Sequence, residues 1–200
     1  MEMDEKFRLV TRSDFDGLVC AVLFRELDMV ADIKFAHPKD VQDGTILLDG
    51  NDITANLPYD PRVQRAFDHH ASEDLRLDKV PANYVNVHKA PSAARVVYDF
   101  YGGANAFTNV STAMMDAVDK GDSAQFDMDE VLNPAGWPLL NFIMDARTGL
   151  GRFRDFTISN YELMMELIEY CRSHEIDEIL ALPHVKERVD LYMSYQDKFI

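Results

Sequence analysis

The sequence lacks the features that mark membrane-spanning and secreted proteins. It has no run of about 18 apolar residues, so we expect no membrane span and no membrane partner. Its start, MEMDEKFRLV, contains early acids and no apolar stretch, so it is not typical of a signal peptide and predicts a cytoplasmic protein. Its two cysteines, Cys20 and Cys171, are far apart in helical patterns, and we expect reduced, buried thiols.

Positive charge is scarce as well. The chain has 20 lysines and arginines against 35 acids, a formal net charge of -15. A broad phosphate-backbone footprint needs a basic stripe, so this balance argues against long nucleic acid as a partner. It remains compatible with a small anionic substrate, because bound divalent cations invert the potential around clustered carboxylates. A homodimer stays open as the assembly.

Short apolar runs alternate with helical patterns in the first half of the chain. The runs predict strands at 7–11, 33–36, 46–48, 63–67 and 84–87, with helices at 18–30 and, after a capping Ser92, up to residue 101. This alternation predicts an α/β fold with a mainly parallel twisted sheet flanked by helices. A helical C-terminal part follows, with helices at 108–118, 138–145, 160–174 and 183–200.

The length of 200 residues suits one substantial core or one domain with a small appendage. We expect one main domain over residues 1–160 and a helical extension over 161–200. The last helical pattern contains no stop signal before residue 200. We therefore expect the extension to begin a linker to a further C-terminal domain.

Two aspartates lie where the first strand passes into the first helix. Asp14 and Asp16 flank a single residue and precede Gly17, which allows a close backbone approach. A helix cap explains one of these carboxylates but not both. Such strand-to-helix turns in α/β sheets are where ligands bind, so the pair indicates a functional site.

A second cluster, Asp68-His69-His70, ends the fourth apolar run. Adjacent carboxylate and imidazole groups suit Mn²⁺, Zn²⁺ or Fe²⁺, and a buried pair of histidines beside an aspartate is hard to explain as packing. A strand end can turn all three side chains into one cleft.

Two further carboxylate positions are predicted to point into the same cleft. One follows the third apolar run, where Asp49 fits best and Asp52 and Asn56 compete for the position. The other is Asp122, which ends a helical pattern, whereas Asp119 fits a solvated helix face.

Taken in order, these motifs resemble the four motifs of the DHH phosphoesterase superfamily over residues 7–160. The stretch 56–59 before the Asp68-His69-His70 motif looks most like the exopolyphosphatase-like branch. The resemblance implies hydrolysis of a phosphodiester or phosphoanhydride by a metal-bridged hydroxide. It implies polyphosphate-like, short oligonucleotide or cyclic dinucleotide substrates.

The resemblance also implies two divalent ions and a role for each motif residue. Mn²⁺ is the expected ion, with Mg²⁺ or Co²⁺ as alternatives. Asp14 would ligate one ion, Asp16 the other, and the aspartate after the third strand would bridge them. His69 and Asp122 would complete the second ion's site. His70 would face the substrate phosphate, with Asp68 as a direct or supporting partner.

Two positions depart from the family's pattern. Arg12 stands where the first motif has a metal-binding histidine, so either the first ion is held more weakly or the arginine grips a phosphate. If Asn56 holds the second motif, a bridging carboxylate is lost. Further along, Arg147, Arg152 and Arg154 lie in a glycine-containing loop, as candidate anion clamps or as a solvated surface.

Two other functions fit parts of the sequence. One is a degenerate DHH domain that binds metal or ligand without turnover, on account of Arg12 and the blurred second motif. The other is a haloacid-dehalogenase-like phosphatase, whose nucleophile motif Asp14 and Asp16 also resemble. That alternative leaves the Asp68-His69-His70 motif without a role.

Overall fold

A five-stranded sheet forms the centre of the molecule. The computed structural model describes residues 6–74, 77, 79–145 and 155–196. The strands are β1 (Phe7–Arg12), β2 (Val30–Ala36), β3 (Asp52–Ala55), β4 (Arg65–Asp68) and β5 (Tyr84–Asn86). They lie in the order β2-β1-β3-β4-β5, and every neighbouring pair is parallel. The predicted α/β class with a parallel sheet is confirmed.

Helices flank the sheet and make up the second half of the chain. They are α1 (Phe15–Glu26), α2 (Pro38–Gln42), α3 (Ala71–Asp74), α4 (Ala93–Phe100), α5 (Thr112–Asp122), α6 (Met128–Leu132), α7 (Gly136–Met144), α8 (Asn160–Ser173), α9 (Ile176–Ala181) and α10 (Pro183–Gln196). Ser92 caps α4 as predicted, since its side chain accepts a hydrogen bond from the Arg95 N–H. Across the described ranges, no helix combines the length and the apolar character that crossing a membrane requires.

The third strand lies later in the chain than the sequence predicts. Residues 46–48 form a loop in which Ile46 and Leu48 are buried and Leu47 is 79% exposed. The strand is instead β3, whose four residues are all buried because neighbours pair on both sides. A central parallel strand is covered on both faces, so burial rather than alternation marks it.

Helix α1 lies at the centre of the core. Its side chains from Leu18 to Phe24 are fully buried, and it packs against β1, α4 and α8. Apolar side chains of α8, such as Leu163 and Leu167, belong to the same hydrophobic core. Both cysteines are buried and unpaired, as expected. The division between 1–160 and 161–200 stays a prediction, although α8 shares the core of the earlier residues.

Candidate active site

A cleft of about 500 Å³ opens at the carboxyl edge of the sheet, the edge where the parallel strands end. The chain leaves β1 for β2 on one side and later returns to β3 on the other. Crevices at such a reversal of strand order are where α/β proteins bind ligands. The cleft is lined by the predicted side chains Arg12, Asp14, Asp16, His69, His70 and Asp122.

Asp14 begins α1 and faces the β1–β3 side of the cleft. Its Oδ1 accepts hydrogen bonds from the Gly17 N–H at 2.9 Å and from Asn56 Nδ2 at 3.3 Å. Its Oδ2 lies 2.8 Å from Arg12 Nε. A Cβ on Gly17 would lie 1.8 Å from the Arg12 carbonyl oxygen, which explains the glycine after the Asp14–Asp16 pair. Burial raises the pKa of Asp14, against the opposing effect of Arg12.

Asp16 is buried and faces the other side, towards α4. Its two carboxylate oxygens accept hydrogen bonds from the Ala93 N–H at 3.0 Å and the Ala94 N–H at 2.7 Å. These donors belong to the first turn of α4, where a negative charge is stabilised. Burial, together with the negative charges of Asp122 and Asp14, raises the pKa of Asp16 to about 8. A cation nearby would remove this repulsion.

His69 directs its Nε2 towards these carboxylates. Its Nδ1 lies 3.1 Å from the Ala90 carbonyl oxygen, so Nδ1 carries the proton and donates it. Its Nε2 is 2.8 Å from Asp122 Oδ2, yet the arrangement is not that of a hydrogen bond and Nε2 is a buried atom without a hydrogen-bond partner. Burial disfavours protonation of His69, but Asp122 and Asp16 outweigh it and raise its pKa to about 9.

Asp16, His69 and Asp122 together fit a divalent cation. Each offers one ligand atom, and these atoms lie within 4.8 Å of one another. Two carboxylates with an imidazole suit Mn²⁺, Zn²⁺ or Fe²⁺. The buried, unpartnered Nε2 of His69 and the mutual repulsion of the two carboxylates are what such an ion would satisfy.

Asp68 and His70 form a hydrogen-bonded pair beside this cluster. Asp68 is buried, and its Oδ1 lies 2.7 Å from His70 Nδ1 while its Oδ2 accepts a hydrogen bond from Tyr84 Oη at 3.2 Å. The hydrogen bond to Asp68 raises the pKa of His70. Asp68, His69 and His70 form another group of ligand atoms within 4.8 Å. Because both Asp68 oxygens are engaged, its present contacts orient His70 and leave His70 Nε2 for a ligand.

Asp122 and Asp119 lie on the same helix but have different surroundings. Asp119 is not a solvated surface group. It accepts hydrogen bonds from Ser92 Oγ at 2.7 Å and from Arg95 Nε at 2.8 Å, which tie α5 to the start of α4. Asp122, at the end of α5, lines the cleft instead.

Asp49 and Asp52 do not lie at the carboxyl edge, and the expectation that either follows the third strand is wrong. Asp52 begins β3 at the opposite edge of the sheet, where Arg8 binds it, and Asp49 precedes it. The Asp49 N–H donates to Asp52 Oδ2 at 2.8 Å. The residue that follows β3 into the cleft region is Asn56, so an amide stands where the resemblance implies a bridging carboxylate.

Some lining residues were missed, and three predicted ones cannot be placed. Arg147, Arg152 and Arg154 lie outside the described residues. His37 and Asn141 line the cleft without having been predicted. His37 follows β2 directly and caps α2, so its place at a strand end before a proline was a usable signal. Asn141 packs against Gly121, where a Cβ would lie 2.6 Å from its Oδ1, and nothing in the sequence marks that contact.

Comparison with known proteins finds a match among solved structures. No family model matches the chain, and no curated protein matches it. Among solved structures, the chain is similar to a pGpG-specific phosphodiesterase, PggH, from Vibrio cholerae, with 55% sequence identity and a TM-score of 0.86. The match covers 95% of this chain and 60% of that one, so this chain spans less than two thirds of PggH. It supports the resemblance to DHH phosphoesterases and does not confirm the exopolyphosphatase-like branch.

Proposed function

We propose that this chain hydrolyses the phosphodiester bond of a short linear dinucleotide such as pGpG, with the help of a divalent metal ion. One observation carries the proposal. Asp16, His69 and Asp122 form a cation-compatible cluster at the carboxyl edge of a chain that is 55% identical to a pGpG-specific phosphodiesterase. The negative charge of the chain fits a small substrate better than a long nucleic acid.

The metal centre consists of Asp16, His69 and Asp122, and we propose Mn²⁺ as its ion. A mixed carboxylate and imidazole set suits Mn²⁺, and the Nδ1–H bond to Ala90 fixes the His69 tautomer that leaves Nε2 to bind it. When bound, such an ion supplies positive charge beside the phosphate and lowers the pKa of a water molecule.

The remaining polar side chains of the cleft orient the substrate. His70 is held through Nδ1 by Asp68, so Nε2 can donate a hydrogen bond to a phosphoryl oxygen or to the leaving oxygen. The raised pKa of His70 favours the form that carries both ring protons. Arg12 lines the same cleft and adds a permanent positive charge.

The test is Mn²⁺-dependent release of GMP from pGpG by the chain. Replacement of one ligand, Asp122→Asn, is expected to lower kcat/KM by about 100-fold or more. Asp116→Asn, an exposed position on the same helix, is the matched control and is expected to retain activity. Full activity of the Asp122→Asn variant, or of protein stripped of metal, would contradict the proposal.

A degenerate domain that binds without turnover is the second candidate, and Asn56 is the observation that favours it. Metal binding without hydrolysis of pGpG or polyphosphate would identify it, and hydrolysis of polyphosphate alone would favour the exopolyphosphatase-like branch. The phosphatase alternative, with Asp14 as nucleophile, leaves His69 and His70 without a role although both line the cleft. A cytoplasmic location, a homodimer and the domain division at residue 160 remain proposals from the sequence.

A further inference from the structure

Both departures from the family's pattern fall on the same side of the cleft. Arg12 stands where that pattern has a histidine, and Asn56 stands where it has a bridging carboxylate. Their common neighbour is Asp14, which contacts both of them. The other side, with Asp16, His69 and Asp122, keeps its full set of ligand atoms. The two departures, at Arg12 and Asn56, therefore change the Asp14 side of the cleft and leave the Asp16 side intact.

The Asp14 side already holds a permanent cation. Arg12 Nε lies 2.8 Å from Asp14 Oδ2, where a metal ion bound to Asp14 would have to compete with it. A guanidinium stays charged at all physiological pH values, so its charge opposes a second cation at this short range. Within the described part of the chain, no hydrogen bond engages the two terminal nitrogens of Arg12, Nη1 and Nη2. The Arg12 side chain is 42% exposed and lines the cleft.

Asn56 reinforces this arrangement. It is 2% exposed and adopts a left-handed backbone conformation with φ of 55°, which a non-glycine residue rarely adopts. Its Nδ2 donates to Asp14 Oδ1, which also accepts from the Gly17 N–H, while Arg12 forms an ion pair with Asp14 Oδ2. Its buried Oδ1 has no hydrogen-bond partner in the described residues. A neutral amide provides no charge to bridge two cations.

We propose that the cleft binds a single divalent ion, at Asp16, His69 and Asp122, and that Arg12 replaces the second ion. Arg12, positioned by Asp14, which in turn accepts a hydrogen bond from Asn56, binds the phosphoryl oxygens of the scissile phosphodiester through Nη1 and Nη2. A neighbouring cavity of about 190 Å³, lined by Arg12, Asn56 and His70, continues the cleft on this side. The inference rests on the proposed metal-dependent activity and departs from the two ions that the sequence resemblance implies.

Metal content tests the inference without reference to turnover. The chain is loaded with Mn²⁺, freed of excess ion by gel filtration and analysed by mass spectrometry and electron paramagnetic resonance. We expect about one Mn²⁺ per chain with the spectrum of an isolated ion, and its loss in Asp122→Asn. The double variant Arg12→His with Asn56→Asp restores a histidine and a carboxylate. It is expected to bind about two ions that are magnetically coupled, as in paired sites about 3.5–4 Å apart.

A kinetic arm tests the role of Arg12. Arg12→Met is expected to keep its single Mn²⁺ and to lower kcat/KM for pGpG by about 100-fold, with Arg12→Lys recovering part of the loss. Two ions in the unmodified chain, or full activity of Arg12→Met, would overturn the inference. One bound ion without any hydrolysis of pGpG would overturn the proposed substrate and leave the single-ion site standing. No bound ion would overturn the proposed metal centre and the inference with it.

Discussion

Two arginine–aspartate pairs lie at the two ends of β1 and differ in how completely they are satisfied. At the amino end, Arg8 binds Asp52 through Nε at 2.6 Å and Nη2 at 2.8 Å, and Asp52 is 1% exposed. At the carboxyl end, Arg12 meets Asp14 through Nε at 2.8 Å, and no hydrogen bond in the described ranges engages its terminal nitrogens.

The difference between the two arginine–aspartate pairs indicates that one stabilises the fold and that the other belongs to the functional site. Arg8 and Asp52 are register partners on adjacent parallel strands, and Arg8 Nη2 also donates to the Leu47 carbonyl oxygen at 2.8 Å. This pair closes the amino edge of the sheet. The carboxyl edge instead retains unpartnered buried atoms on Asn56 and His69. Buried polar groups usually find partners in a folded chain, so atoms without a hydrogen-bond partner beside a cleft indicate a ligand site.

The largest expected effect comes from breaking the amino-end pair. Arg8→Met leaves the Asp52 carboxylate buried without its cation, and we expect the free energy of unfolding to fall by about 3 kcal/mol. Urea denaturation measures this, and kcat/KM per folded molecule should stay unchanged. The same substitution at Arg12 serves as the control and should cost about 1 kcal/mol or less, because that pair is more exposed. Equal losses at both positions would contradict the comparison.

A smaller effect, on kcat, is expected from changing Asp68, the buried carboxylate that contacts His70 at the carboxyl edge. Asp68→Asn keeps the shape of the side chain but removes the negative charge that raises the pKa of His70 and orients its ring, so kcat should fall by about 10-fold to 100-fold. Steady-state kinetics with pGpG measures this, and a positioning role predicts a change in kcat with KM nearly constant.

Tyr84→Phe is the control for this position. It removes the other hydrogen bond to Asp68 and leaves the contact with His70 in place. Its kcat should therefore fall much less than that of Asp68→Asn. An equal fall in both variants would show that packing around Asp68, and not its charge, supports activity.

The sequence predicted the residues of the cleft better than the strand between them. Asp14, His69 and Asp122 could be assigned to one cleft because each lies where a predicted strand or helix ends, and the ends of parallel strands meet at one edge of a sheet. The third strand was misplaced because the loop 46–48 is more apolar than β3, whose sequence is Asp-Ile-Thr-Ala. Strand pairing, and not local hydrophobicity, decides between the two.

The wrong position of the third strand also caused the wrong expectation that Asp49 or Asp52 lies at the carboxyl edge of the sheet. Asp52 was a candidate ligand because the sequence does not show that it pairs with Arg8, 44 residues earlier. That pairing is set by the register of two neighbouring strands. Asn56 received less weight than Asp49 because a left-handed residue at the end of a buried strand leaves no simple pattern in one sequence. Both facts follow from tertiary pairing, which hydrophobic periodicity does not report.

The smallest expected effect concerns backbone strain next to the cleft. Ala124 has φ of 54° and closes α5 just after Asp122, with Gln125 N–H donating to the Lys120 carbonyl oxygen at 2.8 Å. The Ala124 N–H donates to the Gly121 carbonyl oxygen at 3.4 Å, which completes the helix-ending motif that usually carries glycine at this position. Ala124→Gly should therefore raise the free energy of unfolding by about 1 kcal/mol and leave kcat/KM unchanged.

The same substitution at Ala113 gives the opposite sign and serves as the control for Ala124→Gly. Ala113 is exposed on α5, where the backbone is right-handed, so Ala113→Gly should lower the free energy of unfolding by about 1 kcal/mol. Thermal and urea denaturation of both variants measure the difference. If Ala124→Gly gained stability but lost activity, the left-handed backbone at Ala124 would be needed to hold Asp122 in position. Backbone strain at the carboxyl edge would then contribute to function at a cost in stability.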